Sequence, residues 1–290
     1  MRSLAHWSEA GRAEMEAFYA LARQDYRHLA GSVDWSAVLR FVLGERQDLR
    51  LLDVACGSGK FPEALLAQGR LDALDGAGVR YDLLDPSAFS LSEARRALAP
   101  PLFGGRDLQT TLEELDPALM TPEGYDVVWA THALYALGPV ALRDGLERFL
   151  DVLTPGGLGF LGHASETAHY LRFYKHFLSD VRGGEGTPFR SSEDIVAALH
   201  ELGAQPTVRR ISYTAQVAER EAATLEGYLQ RCVFDDTVAL DDMLAAPGMG
   251  AYLREARGAD GRYRFVQHVD LVFVGLPDAL AGGIELAYAD

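Results

Sequence analysis

The sequence predicts an α/β fold: a doubly wound sheet of seven strands covered by helices, with a helical cap before it and a helical insertion near its end. Three observations carry that prediction. Short apolar runs alternate with segments of helical period through residues 50–163. Those runs end in glycine, alanine or aspartate, as buried parallel strands do where the chain turns into a crossover helix. After that the alternation gives way to helices and two long strands.

The elements follow in order. Residues 8–30 carry a broken apolar stripe, Ala17, Phe18, Leu21, Ala22 and Leu29, which reads as one helix or two. Asp34 reads as the N-cap of a second helix to about Leu43, with Gly44 as its stop. Strands are expected at 50–55, 79–84, 102–110, 125–130 and 158–162. Helices are expected between them at 61–68, 91–99 and 140–153, the last on the period Leu142, Leu146, Phe149, Leu150 and Leu153. Gly69 and Pro100-Pro101 end the first two of these helices, and Pro155-Gly156-Gly157 turns the chain into the fifth strand. Beyond it come helices at 170–180 and 191–202, a strand at 206–217, two helical stretches within 219–257 parted near Asp235–Thr237, and a strand at 263–274. The expected organisation is an N-terminal helical cap (1–48), a core (49–164), acceptor-side helices with strand six (165–218), a helical insertion (219–260) and the last strand with its tail (261–290).

Composition narrows the function. With 27 basic and 42 acidic residues the net charge is −15, which repels nucleic-acid phosphates and anionic membranes. Two cysteines, Cys56 and Cys232, are too few for a disulfide framework, and no metal-ligand spacing appears. Met1–Ala10 has no apolar signal region, and no apolar run approaches the ~20 residues of a membrane span. The expectation is a cytoplasmic protein with a small-molecule substrate, no nucleic acid, no membrane and no metal; oligomeric state is not legible.

The chemistry starts at Asp53-Val54-Ala55-Cys56-Gly57-Ser58-Gly59, where a strand ends, two glycines permit a sharp turn and a helix begins. Three nucleotide sites use such turns. A phosphate-cradling P-loop needs glycine where Val54 stands and Ser or Thr where Phe61 stands. A dinucleotide turn needs a third glycine where Pro62 stands. The remaining reading is S-adenosylmethionine, which carries no phosphate but has a sulfonium and an ammonium, matching an acidic Asp53 at the strand end.

This segment resembles the first motif of class I methyltransferases. Four further segments match that family in order over about residues 50–163: Asp85-Pro86 after strand two, Thr110–Leu115, Tyr125–Ala130 and Leu153–Gly157. The resemblance implies a Rossmann-like sheet, mostly parallel with its last strand antiparallel, and S-adenosyl-L-methionine as cofactor. It implies that Asp53, Ala55, Gly57 and Gly59 hold the methionine end, that Asp85 with Pro86 binds the ribose, and that Thr111 and Leu112 frame the adenine. Thr111 departs from the family, which often has an acidic residue there. Thr131 lies on the cofactor's path, and Tyr19 or Tyr26 fits a tyrosine that closes over it.

Methyl transfer is a direct displacement accelerated mostly by positioning. The polar groups after strands four and five, His132, Tyr135, His163 and Glu166, are the catalytic candidates, because an imidazole near its usual pKa of ~6.5 takes a proton at neutral pH. Glu166 would orient His163, attract a cation or cap a helix. Tyr170, Phe173 and Tyr174 share a helix face with Phe177 and, with Cys232 and Phe234, form the expected substrate pocket. The motif for exocyclic base amines is missing, since Thr131-His132-Ala133-Leu134 stands there. The layout is similar to small-amine methyltransferases of the histamine type and to bacterial natural-product methyltransferases. That implies methyl transfer to N, or to a nucleophilic ring C, of a small amine or aromatic heterocycle in secondary metabolism. The alternatives are a small-molecule O-methyltransferase or a non-catalytic binding subunit.

Overall fold

The computed structural model describes residues 12–74, 76–116, 124–277 and 280, with side chains from residue 21 onward. Helix α1 (Arg12–Gly31) is continuous over its described length, and α2 (Trp35–Leu43) follows, its first turn capped by Asp34, whose Oδ1 accepts from the Ala37 N–H at 3.0 Å. The core then runs β1 (Asp48–Val54), α3 (Lys60–Gln68), β2 (Gly78–Leu84), α4 (Ala88–Ala97), β3 (Leu102–Leu108), β4 (Tyr125–Thr131), α5 (Pro139–Asp151) and β5 (Leu153–Ala164). After it come α6 (His169–Val181), α7 (Ser192–Glu201), β6 (Thr207–Ala218), α8 (Ala222–Val233), α9 (Leu240–Ala245), α10 (Pro247–Ala256) and β7 (Arg262–Val274).

The seven strands form one sheet in the order β3-β2-β1-β4-β5-β7-β6. β1 to β5 pair in parallel, and β7 slots between β5 and β6, antiparallel to both. The doubly wound sheet and its antiparallel last strand are as the sequence predicts. Two details differ. Pro155-Gly156-Gly157 does not precede β5 but lies inside it: Tyr125 pairs with Leu153 and Val127 with Leu158, so the extra residues bulge out of the ladder. The insertion holds three helices rather than two, because Pro247 starts a new helix where the preceding one stops at Ala245.

Alternation along the strands explains the layers. Leu51, Leu83, Val127 and Trp129 point to one face, where α1 to α4 cover them; Trp35 stands at the centre, its ring 4.8 Å from Phe160 and 5.7 Å from Trp129. Leu52, Val54, Val128 and Ala130 point to the other face, under Leu142, Leu146 and Phe149 of α5 and Ile195 and Leu199 of α7. A third apolar cluster joins α6, α8, α9 and α10 to the ends of β6 and β7 through residues such as Phe173, Leu229, Met249 and Phe265.

The topology places the ligand site. The chain winds outward from β1 to β3, then crosses back to β4 beside β1, so the switch point lies between β1 and β4 at their carboxyl ends. β5 and β6 run in the same direction as β4, and α6 and α8 start where those two strands end. With α1, which packs against α8, they form a cap over that end of the sheet. Among the described residues no helix is long and apolar enough to cross a membrane.

Candidate active site

β1 ends in an abrupt reversal. Ala55 (φ 50°) and Gly57 (φ 52°) both adopt left-handed backbone, and Gly57 donates its N–H to Asp85 Oδ2 at 3.0 Å. Ala55 has a Cβ and still adopts it, a conformation that costs about 1–3 kcal/mol and tends to occur where a ligand is held. Gly59 (φ 75°) plays a different part: a Cβ there would lie 2.8 Å from Ala94 Cα, so the glycine lets α3 begin directly against α4. It does not line the cleft.

Asp85 closes the far side. Its Oδ1 accepts from the Ser87 N–H at 2.8 Å, and its own N–H donates to Leu108 O. Burial pushes its pKa up, opposed by the two backbone donors from Ser87 and Gly57. Each carboxylate oxygen keeps a second lone pair for a ligand hydroxyl.

Between β1, β2 and β4 opens a cleft of about 330 Å³, within the range of small-molecule sites. Ala55, Gly57, Asp85, Pro86, Thr111, Leu112, Thr131 and Tyr26 all line it. Two observations fit a bound S-adenosylmethionine. Thr111 Oγ1 is occluded from solvent without a hydrogen-bond partner among the described residues, and an adenine amine would satisfy it. The glycine turn brings bare backbone to the other end of the cleft.

Asp53 lies elsewhere. It is 1% exposed, its Oδ2 accepts from Tyr81 OH at 2.7 Å, and Tyr81 OH in turn accepts from Trp129 Nε1 at 3.2 Å. Burial raises its pKa to about 7, and the Asp85 charge adds to the rise. The alternation of β1 turns this side chain into the sheet's interior, so it braces the turn from behind and does not reach the cleft. The Tyr19 side chain lies outside the described residues.

An annex of about 60 Å³ adjoins the cleft beneath the cap, sharing Tyr26, His132, Tyr135 and Phe234 with it. Tyr170, Cys232 and Phe234, three of the expected pocket residues, line this annex. Tyr174 does not: it stacks on Phe189 at 3.6 Å in an outer groove. Phe173 is fully buried, 5.5 Å from the His169 ring, and faces the helical core.

His132 sits at the junction in left-handed backbone (φ 51°), its N–H bonded to Gly162 O. Its Nδ1 is 2.7 Å from Tyr135 OH. With the phenol proton donated to Nδ1, the imidazole proton sits on Nε2. Nε2 is occluded and has no protein partner. Burial, with a smaller contribution from His163, lowers the His132 pKa to about 3. The ring is therefore neutral at physiological pH and presents an N–H, not the ready proton acceptor its usual pKa implies.

His163 and Glu166 are not in the site. His163 is 1% exposed behind the Tyr135 ring (4.0 Å between centroids), and its Nε2–H donates to Arg190 O at 3.0 Å. Burial lowers its pKa to about 4. Glu166 is exposed, and the Glu193 carboxylate accepts from its backbone N–H. β5 points His163 inward and leaves Glu166 beyond the strand end, where it neither orients His163 nor reaches the cavity.

Four annex residues escaped the sequence reading: Ala22, Asp25, Phe189 and Arg231. Asp25 had a signal. Leu21, Asp25 and Leu29 are spaced by four on α1, which puts a carboxylate on the buried stripe. Phe189 follows Pro188 in a loop without period, and nothing local marks it.

Comparison with known proteins agrees with this geometry. A methyltransferase-domain family model matches residues 52–158. Among solved structures, the chain is similar to a candidate methyltransferase from Bacillus halodurans C-125 (15% identity, TM-score 0.54, covering 82% of this chain and 97% of that one). It is also similar to magnesium protoporphyrin IX methyltransferase from Synechocystis PCC 6803 with bound SAH (12% identity, TM-score 0.51, covering 93% and 98%). At these identities the likeness is one of fold. No curated protein matches the sequence. The turn at Ala55–Gly57, the Asp85 carboxylate and the sheet order agree with the matched family, and residues 52–158 form a methyltransferase domain.

Proposed function

We propose that this methyltransferase transfers a methyl group to nitrogen, or to a nucleophilic ring carbon, of a small amine or aromatic heterocycle. The observation that carries the reading is the aromatic annex beside the proposed cofactor cleft, which shares Tyr26, His132, Tyr135 and Phe234 with it. A recess of that size admits one small flat or cationic group and excludes a polymer. Its aromatic faces attract positive charge, and its burial keeps water from the reacting methyl.

In this reading Asp85 and Pro86 hold the ribose, Thr111 and Leu112 the adenine, and Ala55, Gly57 and Thr131 the methionine end. When bound, S-adenosylmethionine supplies a methyl group on an electron-poor sulfur. Tyr26, Tyr135 and Phe234 orient the acceptor by their faces, and the His132 Nε2–H donates to whichever oxygen or nitrogen stands at the junction. Neutral His132 positions rather than deprotonates. A place in secondary metabolism fits this substrate class.

Calorimetry with S-adenosylmethionine, followed by a screen of small amines and heterocycles with methyl-labelled cofactor, tests the proposal. Label transferred to a small amine or heterocycle supports it. Label found only on phenols, carboxylates or macromolecules refutes it, and no cofactor binding at millimolar concentration would favour a non-catalytic subunit.

A further inference from the structure

From the annex we infer that Asp25 is the acceptor's proton-taking partner, so that the substrate presents an N–H to this carboxylate. The inference rests on the methyltransferase reading and deepens it.

Asp25 is 3% exposed on α1 and lines the annex beside Tyr26. Tyr170 OH, from α6, donates to its Oδ2. The Tyr213 hydroxyl, from β6, also faces the carboxylate and opposes the rise of its pKa, although no hydrogen bond of good geometry joins them. Asp25 Oδ1 has no hydrogen-bond partner among the described residues, and no described cation is ion-paired with Asp25. The remaining groups that feel its charge are Tyr135, Tyr228 and Cys232, all neutral acids with pKa values pushed far up by burial. Arg231 of α8 and His132 also line the annex, and neither enters the balance that sets the Asp25 protonation state.

A buried carboxylate without a counter-charge is costly in an apolar cage. Here the cage adjoins the methyl-donor cleft, and the groups that act on Asp25 are hydroxyls, a thiol and aromatic faces, while Arg231 and His132 line the same annex without pairing with it. An acceptor N–H is the missing partner: it hydrogen-bonds the open oxygen while the rings contact its flat or cationic body. Burial raises the Asp25 pKa to about 7, which places it where a general base works best at neutral pH.

The step balances. The acceptor N–H bond breaks, its proton passes to the Asp25 carboxylate, and its electron pair stays on nitrogen or moves through the ring to a conjugated carbon. That atom bonds the methyl group as the methyl–sulfur bond breaks, and the pair from that bond returns to sulfur as the neutral thioether.

Matched acceptor pairs test this with the unaltered protein and labelled cofactor: indole against benzofuran, tryptamine against its N,N-dimethyl, N1-methyl derivative, and imidazole against oxazole. Transfer confined to the N–H members supports the inference; equal transfer to the N–H-free members overturns it and leaves the methyltransferase reading standing. Asp25→Asn adds a second arm. It should lower kcat/KM roughly 10²–10⁴-fold, leave cofactor affinity measured by calorimetry unchanged, and abolish the rise of kcat/KM with pH through neutrality. An Asn variant that is folded by circular dichroism and retains both rate and pH limb refutes the role. Absent cofactor binding by the unaltered protein would remove the underlying reading together with this one.

Discussion

His169 offers a sharp test of how burial governs this protein's electrostatics. It is fully buried, its Nδ1 2.8 Å from Tyr252 OH and its ring 4.3 Å from Phe265, and burial lowers its pKa to about 3. In the unfolded chain it titrates near ~6.5. The folded pKa lies below the unfolded one, so the unfolded state binds the extra proton and stability falls as pH drops from 6.5 toward 3. At pH 5 that is about 1.5 pH units at ~1.36 kcal/mol each, or roughly 2 kcal/mol. Against a typical net stability of about 5–15 kcal/mol this is measurable. His132 and His163 add losses of the same sign. Asp25 and Asp53, whose pKa values rise to about 7, oppose them, because the native state binds their protons first. Comparing wild type with His169→Phe cancels those other groups. The variant loses the Tyr252 partnership, a pH-independent cost of about 1–3 kcal/mol, but it no longer titrates. Urea unfolding from pH 8 to pH 5 should show wild type losing roughly 2 kcal/mol more than the variant over that range. Parallel stability curves for the two proteins would refute the argument.

Three more outcomes follow from the site. Asp85→Ala removes the acceptor for ribose hydroxyls and should weaken S-adenosylmethionine binding by roughly 10- to 150-fold, from about 1.5–3 kcal/mol of charge-assisted hydrogen bonding; calorimetry reads it. Gly59→Ala forces a Cβ to within 2.8 Å of Ala94 Cα at φ 75°, adding about 1–2 kcal/mol of backbone strain and 1–3 of overpacking; urea unfolding should show a loss of about 2–5 kcal/mol. His163→Ala vacates the space behind Tyr135 and should lower stability by about 2–4 kcal/mol while leaving cofactor affinity unchanged. A kcat loss exceeding 10³-fold without destabilisation would return His163 to the chemistry.

What could be read in advance divides along the range of the interactions involved. The strand–helix alternation, the cap at Asp34, the glycine turn and the Asp85-Pro86 strand end are local. Each depends on backbone preferences and periodicity within a dozen residues, and so each was legible. The errors were errors of direction. Asp53 and His163 stand at or near strand ends, the right places in the chain, yet the pleat turns both side chains inward, and a side chain's face follows from register across the sheet. Phe173 and Tyr174 share a helix with Tyr170, but only the packing of α6 against its neighbours selects Tyr170 for the annex.

The sequence by itself determined the fold class and pointed to the methyl donor, because the glycine turn proposed to hold S-adenosylmethionine is written in contiguous residues. Only the tertiary structure decided the acceptor side. Asp25 and Tyr170 on two helices and Phe234 just past the end of a third are spread over more than two hundred residues, and they meet because β5 and β6 both end beneath the cap that α1 completes. Burial, which no local pattern reports, then holds His132 neutral and leaves Asp25 poised near neutrality.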